Sequence, residues 1–342
     1  MRIAVVASPV TPLRPAQPGG AQAVLCDLAA GLTNRGHDVV LYCAEGSEVS
    51  GVKVFMVPRP RDAESALVMP LGPPAPPAPG VEEAIAAMFN AVASRNPDAV
   101  SQHAFDAAAF EASRGLPVLH TLHLPPIVPA VVRAAANTSS DRLATVSHSC
   151  LLGWRSAGIE LGRLIRNGVP DIDVASADPS RVALVAGRIS PEKGIDHALA
   201  AARIAGLPVQ VAGALYDPGY DVDLDGADRL GELTRLDLRR VMAESAVTVC
   251  AVRWEEPFGL VAAEAQMAGC PVAGYRRGAM PEVVEEGVTG FLAEPDDIDA
   301  LAAAIDACGG LDRDRIRASA RRRLGLEGML DAYEMALREI AS

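Results

Sequence analysis

The stretch Trp254-Glu255-Glu256-Pro257-Phe258-Gly259-Leu260-Val261-Ala262-Ala263-Glu264-Ala265, closed by Gly269-Cys270-Pro271 and followed by Val272-Ala273, decides the fold. Residues 246–250 before it are strand-like and apolar, Pro-Phe-Gly opens a helix, and a glycine with a proline soon after is the usual helix stop. Strand, loop, helix, strand is a βαβ unit, and repeating it builds a parallel sheet. Glu256 falls on the loop before the helix and Glu264 about one turn inside it. The unpaired N–H groups of Phe258, Gly259 and Leu260 point out of the helix N-terminus, a ready site for a phosphate-like anion. Carboxylates on either side of that anion can accept hydrogen bonds from hydroxyls attached to it. Hydroxyls on both sides of a diphosphate describe a nucleotide sugar. The spacing of the glutamates alone is weak, since a solvated acidic helix face would show it too.

The same alternation runs outward in both directions. Residues 3–7 are a continuous apolar run, and a proline-rich loop leads to Gly19-Gly20. From Gln22, apolar residues recur at helical spacing through Leu25, Leu28, Ala29 and Leu32 until Arg35-Gly36-His37, and residues 39–43 form the next strand. Further strands are expected at 99–101, 117–120, 143–146, 182–186 and 209–212. Residues 70–79 hold six prolines and read as a stiff extended loop. The pattern predicts two α/β halves joined near residues 165–178, with a cleft between two sheets and ligands at the carboxyl ends of strands. The expected boundaries are 1–168, 169–325 and a C-terminal helix at 326–342.

With 342 residues the chain is long for a single core. Half of the residues are apolar and few are aromatic, a globular composition rich in helix formers. No apolar run is long enough to span a bilayer, and Pro9 and Pro12 break the N-terminus too early for a secretory signal. The six cysteines include no Cys-x-x-Cys pair and sit in apolar segments, so reduced core thiols and a cytoplasmic location are expected. The net charge of −12 lies wholly in the second half: residues 1–170 balance 13 basic against 13 acidic side chains. Nucleic acid is therefore not an expected partner, because phosphate backbones need a basic footprint. An acidic half that binds a diphosphate must supply local cations. Gly187-Arg188-Ile189-Ser190-Pro191-Glu192-Lys193-Gly194, after a strand, offers two of them in Arg188 and Lys193.

With Pro-Phe-Gly between the two glutamates and Gly278-Ala279-Met280-Pro281-Glu282-Val283-Val284 through Gly290-Phe291-Leu292 after them, the run resembles the Glu-x7-Glu element of the family 4 retaining glycosyltransferases. That resemblance implies the GT-B fold: α/β, with two facing Rossmann-like domains and an interdomain cleft. It implies that Arg188 and Lys193 grip the donor diphosphate and stabilise the charge it gains as it leaves. It also implies that Glu256 contacts sugar hydroxyls, Glu264 the ribose, and His123 of Thr121-Leu122-His123 the donor sugar. Gly19 and Gly20 would lie beside the diphosphate, where glycine allows close backbone approach, and Leu233 of Leu230-Gly231-Glu232-Leu233 beside the base. Asn167-Gly168-Val169 matches the interdomain segment, and residues 326–340 would cross back to the first domain. The chain departs from the family at Cys250-Ala251-Val252-Arg253, where a proline-containing segment is common.

The expected activity is transfer of a sugar from a nucleoside diphosphate donor, UDP-linked, to an acceptor hydroxyl by front-side attack. With Arg188 and Lys193 for the diphosphate, no cofactor and no metal is expected. Asp171-Ile172-Asp173 and Asp223-Leu224-Asp225 are chance triplets of an acidic chain, and His120 with His123 lacks a third ligand for zinc. His103 and His148 read as ordinary satisfied histidines, and the arginines from 313 to 323 as a solvated helix face. Alanine and arginine content with compact loops looks like a high-GC actinobacterial enzyme, and the size and trimmed loops look similar to antibiotic-tailoring members. The lack of a distinct basic-aromatic membrane helix points to a soluble, small-molecule acceptor, with a polysaccharide or glycolipid acceptor and peripheral membrane contact as the alternative. A nucleotide-sugar epimerase and a non-catalytic nucleotide-sugar binder are the competing readings.

Overall fold

A computed structural model of the chain describes every residue except 15–19, 62, 64–79, 175–178 and 216–218. Gly19 and the proline-rich stretch at 70–79 therefore lie outside the described residues. The chain divides into two units. One holds the first strand with Ala21–Arg166 and Glu327–Ser342; the other holds Asn167–Leu326.

The first unit runs β1 (Arg2–Val6), α1 (Gly20–Asn34), β2 (Asp38–Ala44), β3 (Lys53–Val57), α2 (Val81–Ser94), β4 (Ala99–Gln102), α3 (Ala107–Ala112), β5 (Val118–Leu122), α4 (Pro129–Ala136), β6 (Leu143–Thr145), α5 (His148–Ser156) and β7 (Arg163–Leu164). Its seven strands pair in parallel in the order β3-β2-β1-β4-β5-β6-β7. β1 and β2 bury nearly every residue because helices cover both faces of such a sheet, so their sequences read as unbroken apolar runs. Short polar side chains start the helices: Asp106 accepts from the Ala108 N–H and Ser147 from the Cys150 N–H.

The second unit runs β8 (Ala183–Ala186), α6 (Ile195–Ile204), β9 (Val209–Ala212), β10 (Ala227–Gly231), α7 (Arg235–Glu244), β11 (Val247–Cys250), α8 (Leu260–Met267), β12 (Val272–Tyr275), α9 (Met280–Val283), β13 (Gly290–Ala293), α10 (Ile298–Cys308) and α11 (Arg313–Leu324). Its six parallel strands are ordered β10-β9-β8-β11-β12-β13. Both orders reverse direction beside the first strand of the unit, the Rossmann arrangement, and place a topological switch point between β1 and β4 and between β8 and β11.

The last helix, α12 (Leu326–Ala341), belongs to the first unit. It packs so closely on α1 that a Cβ at Gly31 would lie 2.5 Å from Leu330 Cδ1. Arg35 at the end of α1 pairs with Glu327, Asp331 and Glu334 of α12. The six cysteines are free thiols, five of them buried.

Three expectations change. The segment 230–233, expected as a loop beside the base, is loop only in its second half: Leu230 and Gly231 end β10, an edge strand whose polar sequence hides it. α1 opens at Gly20, two residues before the apolar periodicity begins. The arginines of α11 are not simply a solvated face. Arg313 donates to the carbonyls of Ala243 and Ser245, Arg317 to that of Ala268, and Arg323 to those of Glu282 and Val283. Most of these carbonyls terminate α7, α8 and α9, where cations answer the unsatisfied acceptors.

Candidate active site

The loops after β8 and β11 bring the cations and the first glutamate together. Arg188 follows β8, and a single 3-10 turn at Pro191–Lys193 carries Lys193. Gly194 then takes a left-handed conformation (φ 61°), and a Cβ there would stand 2.0 Å from the Ala251 carbonyl oxygen. That contact seats the Arg188 loop directly on the end of β11, and the Arg253 N–H donates to the Glu192 carbonyl at 2.9 Å. Lys193 Nζ then donates to Glu256 Oε2 at 2.8 Å. Trp254 Nε1 donates to the same oxygen at 2.8 Å, and the ammonium sits 5.5 Å from the Trp254 ring centre. Arg188 reaches Glu192 at 3.3 Å, and the Ser190 hydroxyl donates to that carboxylate at 2.7 Å.

Glu256 itself is held from the other side. Gly278 (φ 59°) packs on its backbone, where a Cβ would lie 2.3 Å from the Glu256 nitrogen and 2.4 Å from its oxygen. The Ala279 N–H donates to the Glu256 carbonyl at 2.8 Å. Burial alone would push the carboxyl up, but Lys193, the Trp254 indole N–H and Arg188 outweigh it and hold Glu256 below the ordinary carboxylate range. Burial, with the Glu256 charge adding to it, pushes the neighbouring Cys250 thiol up to about 12, so that sulfur stays protonated and unreactive.

Glu264 lies on α8, whose first residue is Leu260 after buried Phe258 and left-handed Gly259. Its Oε1 accepts from Arg235 Nε at 2.9 Å and from Arg239 Nη2 at 3.3 Å. Arg239 is 1% exposed. Glu256 and Glu264 thus share one design. One carboxylate oxygen is fixed by cations, and the other carries no partner among the described residues. A carboxylate held this way is oriented yet still able to accept from a hydroxyl.

In the first unit His123 directly follows β5 and is buried beside His103, which follows β4. His103 Nδ1 lies 2.8 Å from His123 Nε2. His120 instead stacks on Phe110 and meets the Gln102 side chain at 3.1 Å. Of the remaining anticipated residues, Gly20 opens α1, while Leu233 sits half-buried between β10 and α7. Among the described residues, no three His, Cys, Asp or Glu side chains gather as metal ligands would.

Sequence reasoning missed Arg235, Arg239, Trp254 and the partnership of His103. Arg235 and Arg239 lie 29 and 25 residues before Glu264, on a different helix. His103 could have been found from the register that sets the ends of β4 and β5 side by side.

Residues 18–171 match the family described as Glycosyltransferase Family 4, and residues 172–322 match Glycosyl transferases group 1. The two halves of the chain are thus each similar to a glycosyltransferase family. A D-inositol 3-phosphate glycosyltransferase of Mycobacterium marinum is 39% identical over 141 residues, covering 37% of this chain and 30% of that protein. The Mycobacterium avium protein of the same name is 30% identical over 247 residues, 58% of this chain and 56% of its own length. The matches thus span between about a third and just over half of these relatives. Among solved structures, Anabaena HepE in complex with UDP and glucose is similar over 99% of this chain and 100% of its own, with TM-score 0.75 and 19% identity. AviGT4, a glycosyltransferase involved in avilamycin A biosynthesis, is similar over 99% and 98%, with TM-score 0.70 and 22% identity. These likenesses establish a GT-B fold of two Rossmann-like domains. No described helix of this GT-B chain is long and apolar enough to cross a membrane.

Proposed function

We propose that the chain is a retaining glycosyltransferase that moves a sugar from a nucleoside diphosphate donor, UDP-linked, to the hydroxyl of a small-molecule acceptor without a metal. The observation that carries this reading is the pair of half-satisfied glutamates flanking an anion-ready helix end, with Arg188 and Lys193 gathered beside Glu256. The diphosphate would take Arg188, Lys193 and the N–H groups of Phe258 to Leu260, and the free oxygens of Glu256 and Glu264 would accept from the sugar and the ribose. HepE, solved with UDP and glucose, supports a UDP-linked donor.

The negative charge that grows on the departing diphosphate is met by fixed cations and backbone dipoles, so the site favours the transition state over the bound donor. Glu256, kept ionised and tied to Lys193 and Trp254, is a positioning carboxylate and not a proton donor. In front-side attack a leaving phosphate oxygen takes the acceptor proton, and the protein contributes orientation and electrostatics. The relatives named for D-inositol 3-phosphate, a small polyol phosphate, favour a soluble acceptor. AviGT4 gives a precedent for this fold in antibiotic biosynthesis, and we assign the acceptor to that natural-product class, within the cytoplasm.

Slow donor hydrolysis, with water as acceptor, tests the reading without knowledge of the acceptor. Incubation with UDP-sugars in EDTA should release UDP, and proton NMR should show the α-sugar appearing first from an α-linked donor. Initial release of the β-anomer would refute retention, and release only after Mg²⁺ is added would refute metal-free transfer.

A further inference from the structure

At the carboxyl ends of β4 and β5 a buried row of polar side chains runs from Ser101 through His103 to His123. Ser101 Oγ lies 2.8 Å from His103 Nε2, and His103 Nδ1 lies 2.8 Å from His123 Nε2. The three residues are 0%, 5% and 6% exposed. Tyr333 of α12 closes the row, its ring centre 5.7 Å from that of His103 and its hydroxyl donating to Thr121 Oγ1 at 3.2 Å. Both imidazoles are neutral: burial pushes His123 down to about 4, and burial with His123 alongside pushes His103 well below the ordinary histidine value. A neutral imidazole has one N–H and one bare nitrogen, and its surroundings choose which is which.

Only one order of protons satisfies this row. Ser101 Oγ has a single hydrogen-bond partner among the described residues, His103 Nε2. Were Nε2 protonated, the serine hydroxyl would be buried with no acceptor, the expensive arrangement for a polar group. The hydroxyl therefore donates to Nε2, and the His103 proton sits on Nδ1. That proton is given to His123 Nε2, which leaves the His123 proton on its own Nδ1. That last nitrogen carries no partner among the described residues.

We infer that Ser101 and His103 are positioning residues that lock His123 with its proton on Nδ1, so that His123 offers a ligand oxygen a hydrogen-bond donor and cannot act there as a base. The ligand chemistry that fits is a neutral hydroxyl or ring oxygen of a sugar. That a sugar arrives at His123 rests on the function proposed above; the tautomer does not. With no base at Nδ1, His123 cannot take the proton of the attacking hydroxyl, which agrees with its departure by the diphosphate oxygen in the function proposed above.

Nitrogen-15 NMR of the full chain with labelled histidine, without ligand, separates protonated from bare ring nitrogens. The expected result is a His123 with Nδ1 protonated and Nε2 bare. In Ser101→Ala the restraint is lost and both histidines become tautomeric mixtures. His103→Asn can still donate to His123 Nε2 and keeps its tautomer, whereas His103→Asp can only accept and reverses it. In donor hydrolysis His103→Asp should therefore lose about tenfold more rate than His103→Asn, about the worth of one hydrogen bond; a purely packing role would cost the two alike. A proton found on His123 Nε2 in the unsubstituted protein, or a tautomer indifferent to His103→Asp, overturns the inference. A chain with the expected tautomer and no transfer would refute the proposed function and leave this inference standing.

Discussion

Replacing Lys193 with methionine keeps most of the side-chain volume and removes the charge that faces Glu256. Breaking a buried ion pair from one side costs about 3–5 kcal/mol. Here the side chains retain 19% and 11% exposure and Trp254 still donates to Glu256, so about 2–3 kcal/mol is expected. For a unit of this size each kcal/mol moves the melting temperature by about 2–4 °C, which gives a loss of about 4–12 °C for the unit carrying the substitution. The penalty must depend on pH in a defined direction. In the unsubstituted protein Glu256 is held below its ordinary value, so the pair contributes stability above the unfolded carboxylate value that is lost as pH falls through the folded one. In Lys193→Met burial acts against a weaker opposition and the carboxyl rises. The variant is then penalised most at neutral pH, and the gap to the parent narrows as the pH is lowered towards about 4 and Glu256 protonates. Adding Glu256→Gln to Lys193→Met should recover most of the loss, because the orphaned charge is gone. Calorimetric melts of the four proteins at several pH values measure all of this. A loss that is the same at acid and neutral pH, or a double variant no more stable than Lys193→Met, would refute the account of the pair.

Gly278→Ala should lower stability by well over about 1 kcal/mol in a urea titration, because its Cβ would strike the Glu256 backbone and its φ is left-handed; it should also slow transfer by shifting Glu256, and a neutral effect on both would contradict that contact. Arg239→Met leaves Glu264 to Arg235 alone, so nucleoside diphosphate affinity should fall several-fold with a loss of about 3 kcal/mol in stability; unchanged affinity by calorimetry would count against Glu264 as the ribose ligand. Lys193→Met should also cut donor turnover by about 10²–10³, with Mg²⁺ unable to restore it.

The strands that could be read from sequence are the interior ones. Residues 3–7 and 39–43 are covered on both faces, so every position is apolar and the run announces itself. The four strands not anticipated are the sheet edges: β3, whose Val54, Phe55 and Met56 stay more than a third exposed, β10 with Ala-Asp-Arg-Leu-Gly, the two-residue β7, and β13, which opens on a glycine. An edge strand needs less burial, and its pattern fades accordingly. Within the site, residues joined by one short loop were legible: Arg188 with Lys193, and Glu256 with the start of α8. The partners that orient them were not, because Arg239 reaches Glu264 from another helix and His103 reaches His123 from another strand. Such pairings are set by sheet register and helix packing, which a single sequence does not display.

The most direct measurement of the central claim is thermal unfolding of the purified protein against UDP, GDP, ADP and dTDP, each with and without Mg²⁺. A ligand at a hundred times its dissociation constant adds about 2.7 kcal/mol to the folded state, a shift of about 5–10 °C for a unit of this size. The account predicts that UDP raises the melting temperature most, by the same amount with Mg²⁺ or EDTA, and that Lys193→Met abolishes most of the shift. No shift with any diphosphate would contradict the assignment of Arg188, Lys193, Glu256 and Glu264 to a nucleotide-sugar donor.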